Sequence, residues 1–340
     1  MRIGIDARFF GPKDKGFGRY TENLIKELEK TSAGNAVFFV FLKKQRFDDY
    51  IPQNPNFHKV LADYKWYGFK EQIIYPFQLK KYNLDLMHFT HFNVPILYRR
   101  KFIVTIHDLI LRYFPKNIFK MPAYFLVFKH AIKNSEKIIA VSEHTKKDIL
   151  KYYDIISDKI KIIYEGVTGE KSQLSNFNFQ LNSKSQFSTS TILYVGNDYP
   201  HKNLQRLRLA CDKLREEGFK INLILITGFI SEKELNDLYK SVDLFVFPSL
   251  YEGFGLPPLE AMKRGLVVVS SSASCMPEIL GDAAIYFDPL NVDDMAEKIK
   301  KVLTDNNLRE LLIQKGFEQI KKYNWFKMAQ ETTEIYFNRY

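Results

Sequence analysis

The sequence predicts an α/β protein made of two parallel-sheet halves facing each other across a cleft. Three observations predict it. Short β-branched runs alternate with amphipathic stretches along the whole chain, the pattern of parallel strands joined by helical crossovers. A Ser/Asn/Gln-rich stretch at 171–190 interrupts that alternation and reads as a polar linker. The chain has 340 residues, a length that suits about two domains.

The elements follow in order. In the first half, residues 1–170, the strand candidates are Arg2–Asp6, Val37–Leu42, Leu84–His88, Phe102–His107, Lys137–Val141 and Ile160–Tyr164. Helical periodicity marks Arg19–Lys30 and Ser142–Tyr153, the second opened by Ser142 ahead of a polar first turn. In the second half, residues 191–322, strands are expected at Ile192–Val195, Leu244–Phe247, Leu266–Ser270 and Ala284–Phe287. Its helices are expected at Leu204–Glu217, Glu232–Ser241, Pro258–Arg264, Asp293–Thr304 and Leu308–Lys322. A last helix, within 323–340, is expected to return to the first half. The stretch Ile221–Ile230 breaks the rhythm. It is apolar throughout, yet too short for two parallel strands and a crossover. Either it is one long strand, or a helix-bearing segment is absent there.

Bulk properties narrow the function. The net charge of +11 favours acidic partners such as nucleotides or an anionic surface, although a solvated lysine surface explains it equally well. A nucleic-acid partner rests on that charge alone, with no motif behind it, and is not expected. Cys211 and Cys275 are the two cysteines, and their spacing gives neither a disulfide framework nor a zinc site. No signal-like start and no membrane-length apolar run is present, so a cytoplasmic chain is expected.

Residues 244–260 carry the clearest chemistry. Leu244–Phe247 is a buried strand, and Glu252-Gly-Phe-Gly255 is a loop whose glycines allow a ligand close to the backbone. Pro257-Pro258 suits a helix start, and Glu260 is expected in the first helical turn. A strand, a glycine loop and a helix N-terminus together form an anion site at the carboxyl edge of a parallel sheet. Two carboxylates there would repel phosphate, so they suit neutral hydroxyls, as on a sugar and a ribose. The competing reading is a plain helix start with Glu260 set against the helix dipole. Spacing alone does not separate the two.

The wider context resembles a known family. Phe-Pro-Ser-Leu-Tyr-Glu252-Gly-Phe-Gly-Leu-Pro-Pro-Leu-Glu260 is similar to the E-x7-E signature of the family 4 retaining glycosyltransferases of GT-B fold. Further matching segments are Asp6-Ala-Arg, Gly16-Phe-Gly18-Arg19, His88-Phe-Thr-His91, Thr105-Ile-His107-Asp108, Ala140-Val-Ser142, Tyr194-Val-Gly196, His201-Lys202-Asn203 and Pro277-Glu278. They span nearly the whole chain. The resemblance implies two Rossmann-like domains and transfer of a hexose or deoxyhexose, with GDP-mannose favoured, from a nucleotide-diphosphate sugar. The acceptor would be a polysaccharide or lipid-linked oligosaccharide, as in mannosyl- and rhamnosyltransferases of O-antigen and lipopolysaccharide assembly. No cofactor and no metal are expected.

The resemblance also implies roles. Glu260 would bind the ribose, Glu252 the transferred sugar, and the backbone of Phe254, Gly255 and Leu256 would seat sugar and phosphates. Lys202 would face the diphosphate, against the alternative of a solvated lysine at a helix start. His107 would reach the donor sugar and support the transition state without covalent catalysis, against the alternative of a satisfied core histidine. Gly16 and Gly18, opening a helix, would offer backbone N–H groups near the donor phosphates. His88 and His91, lacking carboxylate partners, read as structural. Asn197 stands where many relatives carry an arginine.

Two features complicate the reading. Arg99-Arg100-Lys101 and the stretch 116–133, with Tyr124, Phe125 and Phe128 among lysines, suit a peripheral membrane contact, but inward-packing aromatics explain them better. In relatives, a loop, a helix and a strand precede the segment matching Thr227-Gly-Phe-Ile230, and that insertion is absent here. The chain is therefore either a trimmed working enzyme or a non-catalytic binding partner in a polysaccharide assembly complex.

Overall fold

The computed structural model describes residues 1–31, 36–115, 117–167 and 189–337. They fall into two compact units, Met1–Gly166 with Trp325–Tyr340, and Val167–Asn324. The expected linker at 171–190 lies outside the described residues except for its last two, and Ser190 already opens a strand.

In the first unit the strands are β1 (Arg2–Asp6), β2 (Val37–Leu42), β3 (Phe57–Leu61), β4 (Leu86–Phe89), β5 (Phe102–Ile106), β6 (Ile138–Ala140) and β7 (Ile160–Ile162). Its helices are α1 (Lys15–Lys30), α2 (Lys44–Phe47), α3 (Phe69–Lys80), α4 (Ile110–Tyr113), α5 (Met121–Asn134) and α6 (Glu143–Tyr152). The sheet is parallel in the order β3-β2-β1-β4-β5-β6-β7. Strand order therefore reverses between β1 and β4, the position where open α/β sheets present their ligand crevice. Strand β3 was not expected. Its pattern Phe-His-Lys-Val-Leu is too mixed to stand out, and pairing with β2 makes it a strand. One core cluster joins the strands to Tyr75 and Leu79 of α3 and to Tyr124, Val127, Phe128 and Ile132 of α5. These two helices therefore lie in one layer on the same side of the sheet.

The second unit contains β8 (Ser190–Val195), α7 (Leu204–Glu216), β9 (Ile221–Ile226), α8 (Glu232–Ser241), β10 (Leu244–Phe247), α9 (Leu256–Lys263), β11 (Val268–Ser271), α10 (Met276–Leu280), β12 (Ala284–Phe287), α11 (Val292–Thr304) and α12 (Asn306–Gln319). Its sheet is parallel in the order β12-β11-β10-β8-β9. The long-strand reading of Ile221–Ile230 fails. The strand stops at Ile226, and Thr227–Ile230 is a loop running into the capping box of Ser231 and Glu234 that starts α8. Strand β9 is consequently the sheet edge. Leu223 to Ile226 are half-buried and Phe229 is exposed, the apolar surface expected from a missing insertion.

The last helix, α13 (Trp325–Tyr336), belongs to the first unit. A Cβ at Gly166 would fall 2.3 Å from the Trp325 nitrogen, so the chain can pass there only as glycine.

Candidate active site

In the second unit the functional candidates gather where β8, β10 and β11 end. The β10–α9 junction is built around Gly255. Its φ of 93° is left-handed, and a Cβ there would sit 2.4 Å from the Met276 methyl. Both backbone and space therefore require glycine. Leu256 is the first helical residue, with Pro257 behind it. Glu260 corrects one expectation. It lies beyond the first turn of α9, which holds no acidic residue, so the helix-dipole reading of this glutamate is lost. Glu260 is buried all the same. Phe254 is also buried, its ring edge-on to Tyr323 at 5.4 Å.

Glu252 accepts from the Lys202 ammonium at 2.5 Å, with side-chain exposures of 13% and 11%. Lys202 sits in a short 3-10 turn after β8 and is not the solvated lysine of the alternative reading. A cation and a carboxylate thus neutralise each other at the carboxyl edge of the sheet. They are the two charges that a diphosphate and a sugar hydroxyl would separate.

Three residues that sequence reasoning gave no role hold this geometry. The Asn203 amide donates to Pro248 O (3.1 Å) and Pro289 O (2.7 Å), tying the loop after β8 to those after β10 and β12. Asn203 pays for this with a left-handed backbone, φ 59°. Ser274, also at positive φ, accepts from the Glu252 N–H at 3.0 Å. The buried Cys275 thiol donates to the carbonyls of Glu252 (3.3 Å) and Phe254 (3.4 Å). Asn203 was visible inside the matched His-Lys-Asn segment. Ser274 and Cys275 carry no signal in sequence, because their roles depend on which loop lies above them. Asn197 closes a turn, its carbonyl accepting from the Tyr194 hydroxyl and its side chain from the Tyr199 N–H.

In the first unit, His107 follows β5 and is buried. Its Nε2 lies 3.0 Å from the Thr90 carbonyl, which can only accept, so Nε2 carries the hydrogen. Its Nδ1 lies 3.0 Å from the Glu165 carboxylate, and the rings of Phe17 and Tyr20 pack on it at 4.9 and 4.8 Å. Both nitrogens are satisfied within the unit, as in the core-histidine alternative. A hydroxyl gains a ring nitrogen only by displacing Thr90 or Glu165. His88 bridges the Tyr336 hydroxyl (2.7 Å) and the Thr105 hydroxyl (2.8 Å). Burial, with His107 nearby, pushes its pKa down to about 3. Burial holds His91 well below its ordinary value too. Both are neutral structural residues, and among the described residues no group of three or more His, Cys, Asp or Glu could hold a metal ion.

Gly16 and Gly18 differ. Helix α1 begins at Lys15, so both lie within its first turn. Gly16 is exposed with open space around its Cα. Gly18 is a packing glycine, since a Cβ would meet Gly11 O at 2.1 Å, and its carbonyl accepts from Gly11 N.

Two doubly wound parallel-sheet units in one chain are the architecture of the GT-B fold. The model for glycosyltransferase family 4 matches residues 15–171, and that for glycosyl transferases group 1 matches residues 220–319. The chain belongs to this glycosyltransferase family and is a hexosyltransferase by descent. It is 27% identical over 290 residues to O-antigen chain mannosyltransferase B of Escherichia coli, covering 76% of this chain and 75% of the relative. It is 29% identical over 234 residues to the serotype-specific mannosyltransferase WbdA of Escherichia coli, covering 59% of this chain but 29% of that longer protein. The fold is similar to sucrose-phosphate synthase of Thermosynechococcus elongatus (TM-score 0.76, 18% identity, 99% of this chain and 98% of that one). It is also similar to Anabaena HepE in complex with UDP-glucose (TM-score 0.71, 14% identity, 99% and 100%).

Proposed function

We propose that this chain transfers a hexose or deoxyhexose, with GDP-mannose the first candidate donor, to a growing polysaccharide or lipid-linked oligosaccharide with retention of configuration. The observation that carries the reading is the Lys202–Glu252 pair beside Gly255 and the buried Glu260. On donor binding, Lys202 exchanges the carboxylate for the diphosphate, and the freed Glu252 accepts from hydroxyls of the transferred sugar. Glu260 accepts from the ribose hydroxyls. The N–H groups at the start of α9, with Phe254, Gly255 and Leu256, seat the phosphates. Charge on the leaving diphosphate then falls on fixed N–H groups and an ammonium, which needs no metal or cofactor. From the first unit, the start of α1 would offer N–H groups to the phosphates at the exposed Gly16, with Gly18 packing that turn against Gly11, and His107 would turn its Nε2–H from Thr90 to a sugar hydroxyl. The mannosyltransferase relatives support mannose, and HepE with UDP-glucose supports a nucleotide-sugar donor.

The test is transfer and hydrolysis of a panel of nucleotide sugars, with and without a chelator, by the full chain. No turnover of any donor sinks the reading. The bare edge of β9 favours one alternative, a weakened member that serves as a binding partner. A nucleotide-dependent rise in melting temperature without turnover would select that alternative, because ligand bound to the native state stabilises it by mass action.

A further inference from the structure

The outer side of the α3/α5 layer is unlike the rest of the surface. Along α3 and its C-cap, Lys70, Ile74, Phe77 and Lys81 follow one another at helical spacing, and all four are exposed. On α5 the corresponding stripe is Pro122, Leu126, Lys129 and Lys133. The segments that start the two helices add Phe69, Ile118 and Phe119, exposed by 78%, 74% and 91%. The aromatics Tyr124 and Phe128 do pack inward, so the apolar residues facing out are a different set.

Charge on this layer is one-sided. No Asp or Glu occurs from Leu109 to Asn134, and the one carboxylate of α3, Glu71, is fully buried against Arg8 and Asn93. Lys70, Lys81, Lys120, Lys129 and Lys133 form no ion pair among the described residues. A second copy of this chain would set lysine against lysine there, with no acid to meet them. A polar polyanion would leave Phe119, Phe69 and Leu126 in water. A surface that is anionic at the headgroups and apolar beneath fits both halves of the pattern.

We infer that the outer side of the α3/α5 layer docks on an anionic lipid bilayer, with Phe69, Ile118 and Phe119 inserted and the lysines on the headgroups. Both helices follow strands of a parallel sheet, so their N-terminal ends lie at its carboxyl edge, the edge that carries His107. Insertion there brings that edge to the bilayer surface, where a lipid-linked acceptor presents its sugar.

Co-sedimentation of the full chain with phosphatidylcholine vesicles, with and without about one third phosphatidylglycerol, tests the inference. The chain should pellet with the anionic vesicles and be released by salt. Lys129→Gln with Lys133→Gln should weaken the partition by roughly fivefold per lysine. Phe69→Ser with Phe119→Ser should abolish it, and neither pair should change the melting temperature or donor hydrolysis in solution. No vesicle binding, equal binding to both vesicles, tighter binding to a duplex oligonucleotide, or a dimer that Phe119→Ser dissociates would each overturn it. Binding is read without substrate, so it stands or falls apart from the assigned chemistry.

Discussion

Replacing Glu252 by alanine probes the proposed donor site in two ways at once. The substitution removes the proposed sugar-binding carboxylate, and it strands the Lys202 ammonium, which has Glu252 at 2.5 Å and little water around it. Breaking a buried pair by deleting one partner costs about 3–5 kcal/mol, and the 11–13% exposure of these side chains points to the lower end, about 3 kcal/mol. For a unit the size of Val167–Asn324, that lowers the melting temperature by roughly 6–12 °C. Lys202→Met in the same background should restore much of the loss, because the stranded charge goes with it. Adding GDP should raise the melting point of the alanine variant more than that of the parent, since the diphosphate no longer competes with a carboxylate for Lys202. Transfer should fall below detection in both variants. Thermal unfolding of parent, single and double variants, each with and without GDP, reads all of this. An alanine variant that melts within about 2 °C of the parent would show that the pair carries no weight. Wild-type transfer in it would remove Glu252 from the chemistry.

Glu260→Ala should weaken nucleotide binding by about 1.5–3 kcal/mol, a loss of roughly 10- to 150-fold measured by calorimetry, while the melting curve without ligand shifts less. Gly255→Ala must force a side chain into a left-handed backbone and into the Met276 methyl, so unfolding should be destabilised by about 1–3 kcal/mol and donor binding lost with it. Glu165→Gln should lower transfer while nucleotide binding by calorimetry is kept, whereas unchanged transfer would confine Glu165 to a structural role. His88 titrates near 6.5 when unfolded and about 3 when folded, so the unfolded chain binds the extra proton between those values. Its contribution is therefore complete above pH 6.5 and is lost as pH falls towards 3, at about 1.4 kcal/mol per pH unit. His88→Asn should flatten acid unfolding by that slope, although His91 adds a similar one.

Much of this protein was legible in its sequence. The alternation of apolar runs and amphipathic stretches located ten of the strands outright and the start of β9, because a strand buried between helices on both faces is apolar along its whole length. The Glu252–Glu260 segment marked the glycine loop and helix start at the end of β10, since a left-handed Gly255 ahead of prolines leaves a trace in the chain itself. What depends on a neighbour distant in sequence left none. Strand β3 exists because β2 lies beside it. Ile221–Ile230 could not choose between one strand and two until its pairing with β8 ended at Ile226. The support of the Glu252 loop by Ser274 and Cys275, the pairing of Lys202 with Glu252, and the capture of both His107 nitrogens join residues 17 to 58 positions apart. Local chemistry, written in propensity and backbone conformation, is fixed by adjacent residues. Which charges neutralise each other and which nitrogens are occupied is set by packing, and the tertiary structure alone decided that.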